Sequence, residues 1–169
     1  EAEKTDEDTF ISNSKSMKQV IEIVNRLFTI DLENPADYPP VLILGETGTG
    51  KDLIARTLHY HGKFSDQPFV EVNCTTLPKG LEEAELFGYE KGAFTGADRS
   101  KRGLFEAAAG GTIFLNEIGD LNMESQVKLL QAIERKSLRH VGGVRDIAVN
   151  SRIIAATNRN LKDPQKFRE

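Results

Sequence analysis

The chain has 169 residues, 38% apolar and 28% charged, close to the roughly 100–150 usual for one domain and too apolar for a disordered segment. No apolar run approaches about 18 residues, which excludes a membrane-spanning helix within it; one cysteine, Cys74, excludes an internal disulfide or a CxxC site. Lys plus Arg number 22 against 26 Asp plus Glu, a net charge of −4 without the basic excess of a dedicated nucleic-acid surface.

The opening EAEKTDEDTF is acidic and polar, unlike a secretory leader, so a cytoplasmic protein is expected. Residues 1–12 read as a disordered lead-in, and 13–169 as one α/β unit. Met17, Val20, Ile21, Ile23, Val24, Leu27 and Phe28 recur at helical spacing and predict an amphipathic helix. Three prolines and several acids make 31–40 a loop. VLIL at 41–44 is a short apolar run, as in a buried parallel strand. Residues 51–61 return to helical spacing. FVEVN at 69–73, TIFLN at 112–116 and RIIAAT at 152–157 read as further strands, and 81–88 and 123–135 as helices. Residues 88–103, crowded with glycine and aromatics, read as a loop insertion. Gly142-Gly143 splits two strand-like pieces and predicts a hairpin. Alternating strands and helices imply a mostly parallel sheet with helical crossovers.

GETGTGKD at 45–52 follows a strand and opens a helix, the setting of a Walker A phosphate loop. Gly45, Gly48 and Gly50 accept backbone angles that side chains forbid, so the amides of Glu46, Thr47, Thr49 and their neighbours can turn toward phosphate oxygens. The helix N-terminus adds partial positive charge, and Lys51 adds a full one. Asp52 stands where Ser or Thr usually contacts magnesium. The third strand ends in Asn116-Glu117. In P-loop ATPases with an added carboxylate, such a strand ends Asp-Glu, the first acid serving the magnesium shell and the second polarising the attacking water. Glu117 is present. Asn116 removes one negative charge beside a divalent cation, which either weakens the magnesium site or is tolerated.

GAFTGA at 92–97 is a loop with an aromatic between small residues; Phe94 is either exposed for a partner or tucked into the core. GETGTGKD, FVEVNC, ELFGYEKGAFTGA, GGTIFLNEIGDL, VGG and RIIAATNRNL together resemble bacterial enhancer-binding proteins over about 10–169. These are the AAA+ ATPases that activate sigma-54 RNA polymerase. The resemblance implies a P-loop NTPase fold, an AAA+ three-layer sandwich with four of the usual five strands. It implies ATP and Mg2+ as cofactors, a hexameric ring, and contact with sigma-54 and RNA polymerase. DNA would be reached only through another domain, and no membrane is involved. By the same resemblance, Gly92, Ala93, Phe94, Thr95, Gly96 and Ala97 form the sigma-54-binding loop, with Phe94 and Thr95 at its contact positions. Glu117 matches the catalytic carboxylate, and Asn73 the residue that holds it and relays the state of the γ-phosphate. Asn158 matches the sensor on phosphate or water, and Arg168 an arginine offered to the neighbouring subunit's ATP. Asn116 and Asp52 would face the metal. The hairpin near 138–149 matches an insertion beside the GAFTGA loop. The family has Glu at 52 and Asp at 116, and it continues into a fifth strand and a helical lid. A competing expectation is an ATP-binding regulatory or assembly module with little hydrolysis.

His59 and His61, two residues apart on a predicted helix, do not share a face and are expected not to bind metal. Cys74 is expected to be a small buried residue, EEAE at 82–85 a solvated helix face, and His140, Lys101 and Arg102 ordinary surface or packing residues.

Overall fold

The computed structural model describes residues 15–159. The lead-in over 1–12 and Arg168 lie outside the described residues. The amphipathic pattern at the start forms helix α1, Lys15–Phe28. A 3-10 turn at Pro35–Asp37, capped by the Asn34 side chain, leads into β1, Val41–Leu44. Then follow α2, Lys51–Tyr60, β2, Phe69–Asn73, α3, Glu82–Phe87, and α4, Leu104–Ala107. β3, Thr112–Asn116, is followed by α5, Met123–Arg135. A two-stranded hairpin, β4 Ser137–Leu138 and β5 Ile147–Ala148, precedes β6, Arg152–Thr157.

The main sheet has the order β1-β6-β3-β2, and every pair is parallel. Side chains alternate across a strand, and β3 shows the consequence. Ile113 and Leu115 join one core with Phe87 and Phe105 of α3 and α4 and with Leu129 of α5. Phe114 joins the other core, with Val24 of α1 and Ile54 and Leu58 of α2. Helices therefore cover both faces, which is the three-layer arrangement expected. This alternation is why Ile113, Phe114 and Leu115 are all apolar and fully buried, while the buried Thr112 hydroxyl meets His59.

Three expectations need correction. β1 is an edge strand rather than a wholly buried one: Ile43 is buried, while Leu42 and Leu44 are 45% and 60% exposed. On α1, Ile23 points outward at 57% exposure, because the helix needs only the Val20, Val24 and Leu27 stripe to meet the sheet. The EEAE run is not a solvated face. Glu82 is buried and accepts from Gly80 N and Asn122 Nδ2. Glu83 pairs with Lys128 at 3.2 Å, and Glu85 with Lys101 at 2.7 Å. These acids tie α3 to α5 and to the arm of the insertion.

Among the described residues, no helix is long and apolar enough to cross a membrane.

Candidate nucleotide site and its coupled loop

Residues far apart in sequence meet here because three strands are neighbours. β1, β6 and β3 run parallel, so their carboxyl ends lie side by side. Ligands of open α/β sheets bind at that end. The phosphate loop leaves β1, Asn158 leaves β6, and Asn116-Glu117 ends β3.

The loop is built as its sequence requires. Gly48 and Gly50 have φ of +82° and +86°, left-handed angles that favour glycine. Gly50 caps α2 and brings no side-chain capping bond. The first-turn amides of that helix therefore have neither an upstream carbonyl nor a capping oxygen to bind, which suits an anion. Thr49 Oγ1 donates to Glu46 O at 2.7 Å and fixes the loop's curl. A Cβ at Gly45 would lie 2.6 Å from Thr49 Oγ1.

Lys51 is buried, and its ammonium lies 2.9 Å from Gly45 O, 3.1 Å from Glu46 O and 3.4 Å from Glu117 Oε1. The other carboxylate oxygen of Glu117 accepts from Asn158 N at 3.0 Å. The Asn158 side chain donates on to Thr47 Oγ1 at 3.1 Å. One chain of contacts thus joins all three strand ends. Glu117 holds φ +54° and ψ +51°, a left-handed conformation for a side-chain-bearing residue. Such strain costs roughly 1–3 kcal/mol and persists where surroundings over-determine it. Here the turn out of β3 sets the carboxylate against Lys51 and Asn158.

Asn116 and Asp52 also meet: Asn116 Nδ2 donates to Asp52 Oδ1 at 3.0 Å. Asn116 Oδ1 is buried with no hydrogen-bond partner. An unpartnered oxygen beside a carboxylate is a donor set suited to a hard cation, and magnesium asks for only one or two protein ligands beside phosphate and water. The residues therefore fit Mg2+, with one charge fewer than an Asp-Glu strand end supplies. Among the described residues, no group of three or more His, Cys, Asp or Glu side chains could hold a metal without such help.

Asn73 does not hold Glu117. It sits beside Asn116 in the β2–β3 register, but its Oδ1 accepts from Thr75 N at 3.0 Å and Thr75 Oγ1 at 2.7 Å. The short turn after β2 claims the carboxamide as its cap, and Lys51 and Asn158 hold Glu117 instead. Cys74 is buried, and burial, with the nearby Asp120 and Glu117 charges, pushes its thiol up to about 12. It is a small buried residue, as expected. His59 is a core residue whose Nδ1 lies 3.0 Å from Thr112 Oγ1, and burial lowers its pKa; His61 is exposed.

The insertion is a closed arm. Tyr89 exchanges backbone bonds with Lys101, each 2.9 Å; Glu90 N donates to Val141 O of the hairpin at 3.0 Å, and Val141 N donates back to Gly88 O at 2.8 Å. At its neck Gly88 and Gly103 nearly touch: a Cβ at Gly103 would lie 2.4 Å from Gly88 N. At its tip Gly92 N donates to Ala97 O at 2.8 Å and Ala97 N to Phe94 O at 3.0 Å, closing GAFTGA on itself. Phe94 is half-buried, its ring 5.0 Å from that of Tyr89, while Thr95 and Gly96 are exposed. It is neither freely exposed nor in the core; it folds against the arm's own aromatic. Gly142 of the hairpin meets Ala93 so closely that a Cβ there would lie 2.9 Å from Ala93 Cβ. The two insertions lie side by side, as expected.

His140, expected to be an ordinary surface or packing residue, instead bridges two acids. It reaches Glu90 Oε1 at 2.8 Å through Nδ1 and Glu106 Oε1 at 2.7 Å through Nε2. Gly88 and Gly103, the neck, were missed, although glycines bracketing an insertion are a readable signal.

With fold and site in view, the chain is a P-loop NTPase of the AAA+ kind: the profile of the Sigma-54 interaction domain matches residues 10–169, and the chain belongs to that family. It is 46% identical over 153 residues to the nitrogen fixation protein VnfA of Azotobacter vinelandii, covering 90% of this chain and 28% of that protein. It is 53% identical over 122 residues to the response regulator protein PilR of Pseudomonas aeruginosa, covering 72% of this chain and 27% of the relative. The crystal structure of NtrX from Brucella abortus in complex with ADP superposes with a TM-score of 0.77 at 31% identity. That match covers 95% of this chain and 34% of NtrX. The chain therefore spans about a third or less of the proteins it matches.

Proposed function

We propose that this chain is the ATP-hydrolysing module of a sigma-54-dependent transcriptional activator, which remodels the closed promoter complex through its GAFTGA loop. The carrying observation is the Lys51–Glu117–Asn158 chain of contacts at the mouth of the phosphate loop. The loop amides, the α2 N-terminus and Lys51 bind the triphosphate. Asn116 and Asp52 supply oxygens toward Mg2+, which when bound neutralises charge on the phosphates. Glu117 polarises the attacking water as general base. Because Glu117 is tied to Lys51 and to Asn158, exchange of γ-phosphate for these contacts gives the two nucleotide states different energies, the requirement for a ligand-driven shift. Asn73, one strand over, relays that difference once its Thr75 cap is released. Gly92 to Ala97 present Phe94 and Thr95 to sigma-54. Six copies form a ring, Arg168 of each serving its neighbour's ATP, and the protein works in the cytoplasm.

Thr95→Ala tests the loop assignment. The exposed hydroxyl touches nothing in the site, so ATP turnover is expected to stay within twofold while sigma-54 binding is lost. Unchanged sigma-54 binding would contradict the assignment.

A second reading rests on the Asn116–Asp52 bond. With an amide where a carboxylate would hold the metal shell, the module binds ATP and hydrolyses it slowly, acting more as a nucleotide-regulated switch than as a fast motor.

A further inference from the structure

His140 joins three segments that the backbone otherwise leaves separable. It belongs to the hairpin; Glu90 lies at the base of the GAFTGA arm, and Glu106 on α4. The ring is 12% exposed and rests on Gly88, where a Cβ would lie 2.7 Å from His140 Cδ2. The chemistry of these partners fixes the protonation state. An ionised carboxylate only accepts hydrogen bonds, and neutral imidazole has one donor nitrogen and one acceptor. Two carboxylates, one on each nitrogen, can both be satisfied only by imidazolium.

We propose that His140 is a proton-operated latch, which in its imidazolium form clamps the GAFTGA arm to α4 and the hairpin and on deprotonation releases it. The proposal rests on the assignment of that arm as the working loop, and names a regulation of it.

The charged surroundings support the latch. Arg102 Nε is 4.0 Å from Glu106 Oε2 but its side chain is 88% exposed, a weak competitor for that carboxylate. Lys101 is engaged by Glu85, and Arg139 by Asp146 at 2.6 Å. Arg145 lines the same cavity, of about 900 Å³, without an ion pair among the described residues. Among the described residues, no other cation therefore takes His140's place between Glu90 and Glu106. Burial alone would depress the imidazole pKa, yet the hydrogen bonds and charges of Glu106 and Glu90 outweigh it, so the net shift is upward. A raised pKa sets the sign. The stabilisation is complete below the ordinary value of about 6.5 and is lost as pH rises through the higher, folded value. At low pH the arm is held; at higher pH it is free to move. Asp98, Arg99 and Lys91 on the arm are exposed and carry no bond to the ring.

The full chain is examined by amide hydrogen exchange at 89–97, corrected for the intrinsic effect of pH, between about pH 6 and about pH 8.5, the range in which a histidine titrates. His140 ring signals are followed in parallel by NMR. The latch predicts a His140 midpoint above the ordinary value and a several-fold rise in arm opening across that midpoint. It predicts no such rise in α2. His140→Arg keeps a cation at every pH and is expected to hold the arm at the low-pH level throughout. His140→Gln, which cannot be a double donor from opposite sides of a ring, is expected to open it at every pH. An arm that exchanges equally across the range in the parent chain overturns the latch, as does His140→Arg retaining the parent's pH dependence. None of these readouts involves sigma-54 or ATP turnover. Loss of the sigma-54 assignment in the Thr95→Ala experiment therefore leaves them intact, and the two failures are told apart.

Discussion

The phosphate-loop end of the sheet and the GAFTGA arm are built on opposite principles. The first is carried by β1, β6 and β3, paired in continuous parallel register, with fully buried side chains on both faces of β3. Its polar groups are placed by strand ends. The arm has little core of its own. It is closed by a handful of backbone bonds, a pair of crossing glycines, one aromatic contact and a histidine between two carboxylates. Local opening follows from few buried apolar contacts, so the arm is the element that can open at small cost. The sheet is the element that must not move. A stiff sheet end and a compliant arm are written into the contacts of each.

The largest expected effect separates the two regions most sharply. Glu117→Gln keeps shape and its acceptor for Asn158 N but removes the carboxylate proposed as general base. Turnover is expected to fall by about 10²–10⁴, while ATP affinity and the arm's exchange pattern in the absence of nucleotide stay near those of the parent. Steady-state hydrolysis and calorimetry check this; turnover within tenfold of the parent removes Glu117 from its role.

A smaller effect is expected at Asn116. Asn116→Asp exchanges an amide donor for a second carboxylate facing Asp52. At an effective dielectric of 20, two unit charges 4 Å apart interact by about 4 kcal/mol, reduced here because Asp52 is exposed. The variant is therefore expected to be less stable than the parent without Mg2+ and to regain stability with it. Its hydrolysis should rise with Mg2+ several-fold more than the parent's. Thermal melts and turnover against Mg2+ concentration read both. Identical Mg2+ dependence would show that Asn116 is tolerated and would favour a motor of ordinary speed.

Much of the rigid region was legible in the sequence. Apolar runs at 112–116 and 152–157, and the glycine spacing of 45–52, are local signals with one structural solution each. Asn116 and Glu117 could be placed because a strand ends where its apolar run ends, whereas Asn158 was reached through the family resemblance. Asn73 was legible in position but not in its bond: a turn two residues on takes the oxygen of the carboxamide expected to hold Glu117. β1 read as a buried strand because apolar sequence reports hydrophobicity, not the number of neighbours. The arm was legible only as an insertion. α4 is four residues long, and β4 and β5 are two each, too short for a period to show. The His140 contacts join residues 50 and 34 positions apart, and no local pattern announces such a meeting. The acids of α3 carried the same ambiguity, since a paired Glu and a solvated one look alike until Lys128, Asn122 and Lys101 are seen beside them.

The central claim is that the loop from Gly45 to Asp52 closes around a nucleoside triphosphate with Lys51 as its buried cation. Isothermal titration calorimetry of ATP into the chain, with and without Mg2+, tests it most directly. The account predicts one-site binding to the parent and at least a tenfold loss in Lys51→Ala, the effect of about 1.4 kcal/mol or more, with the fold retained. No heat of binding under any Mg2+ condition, or equal affinity in the two proteins, would contradict it.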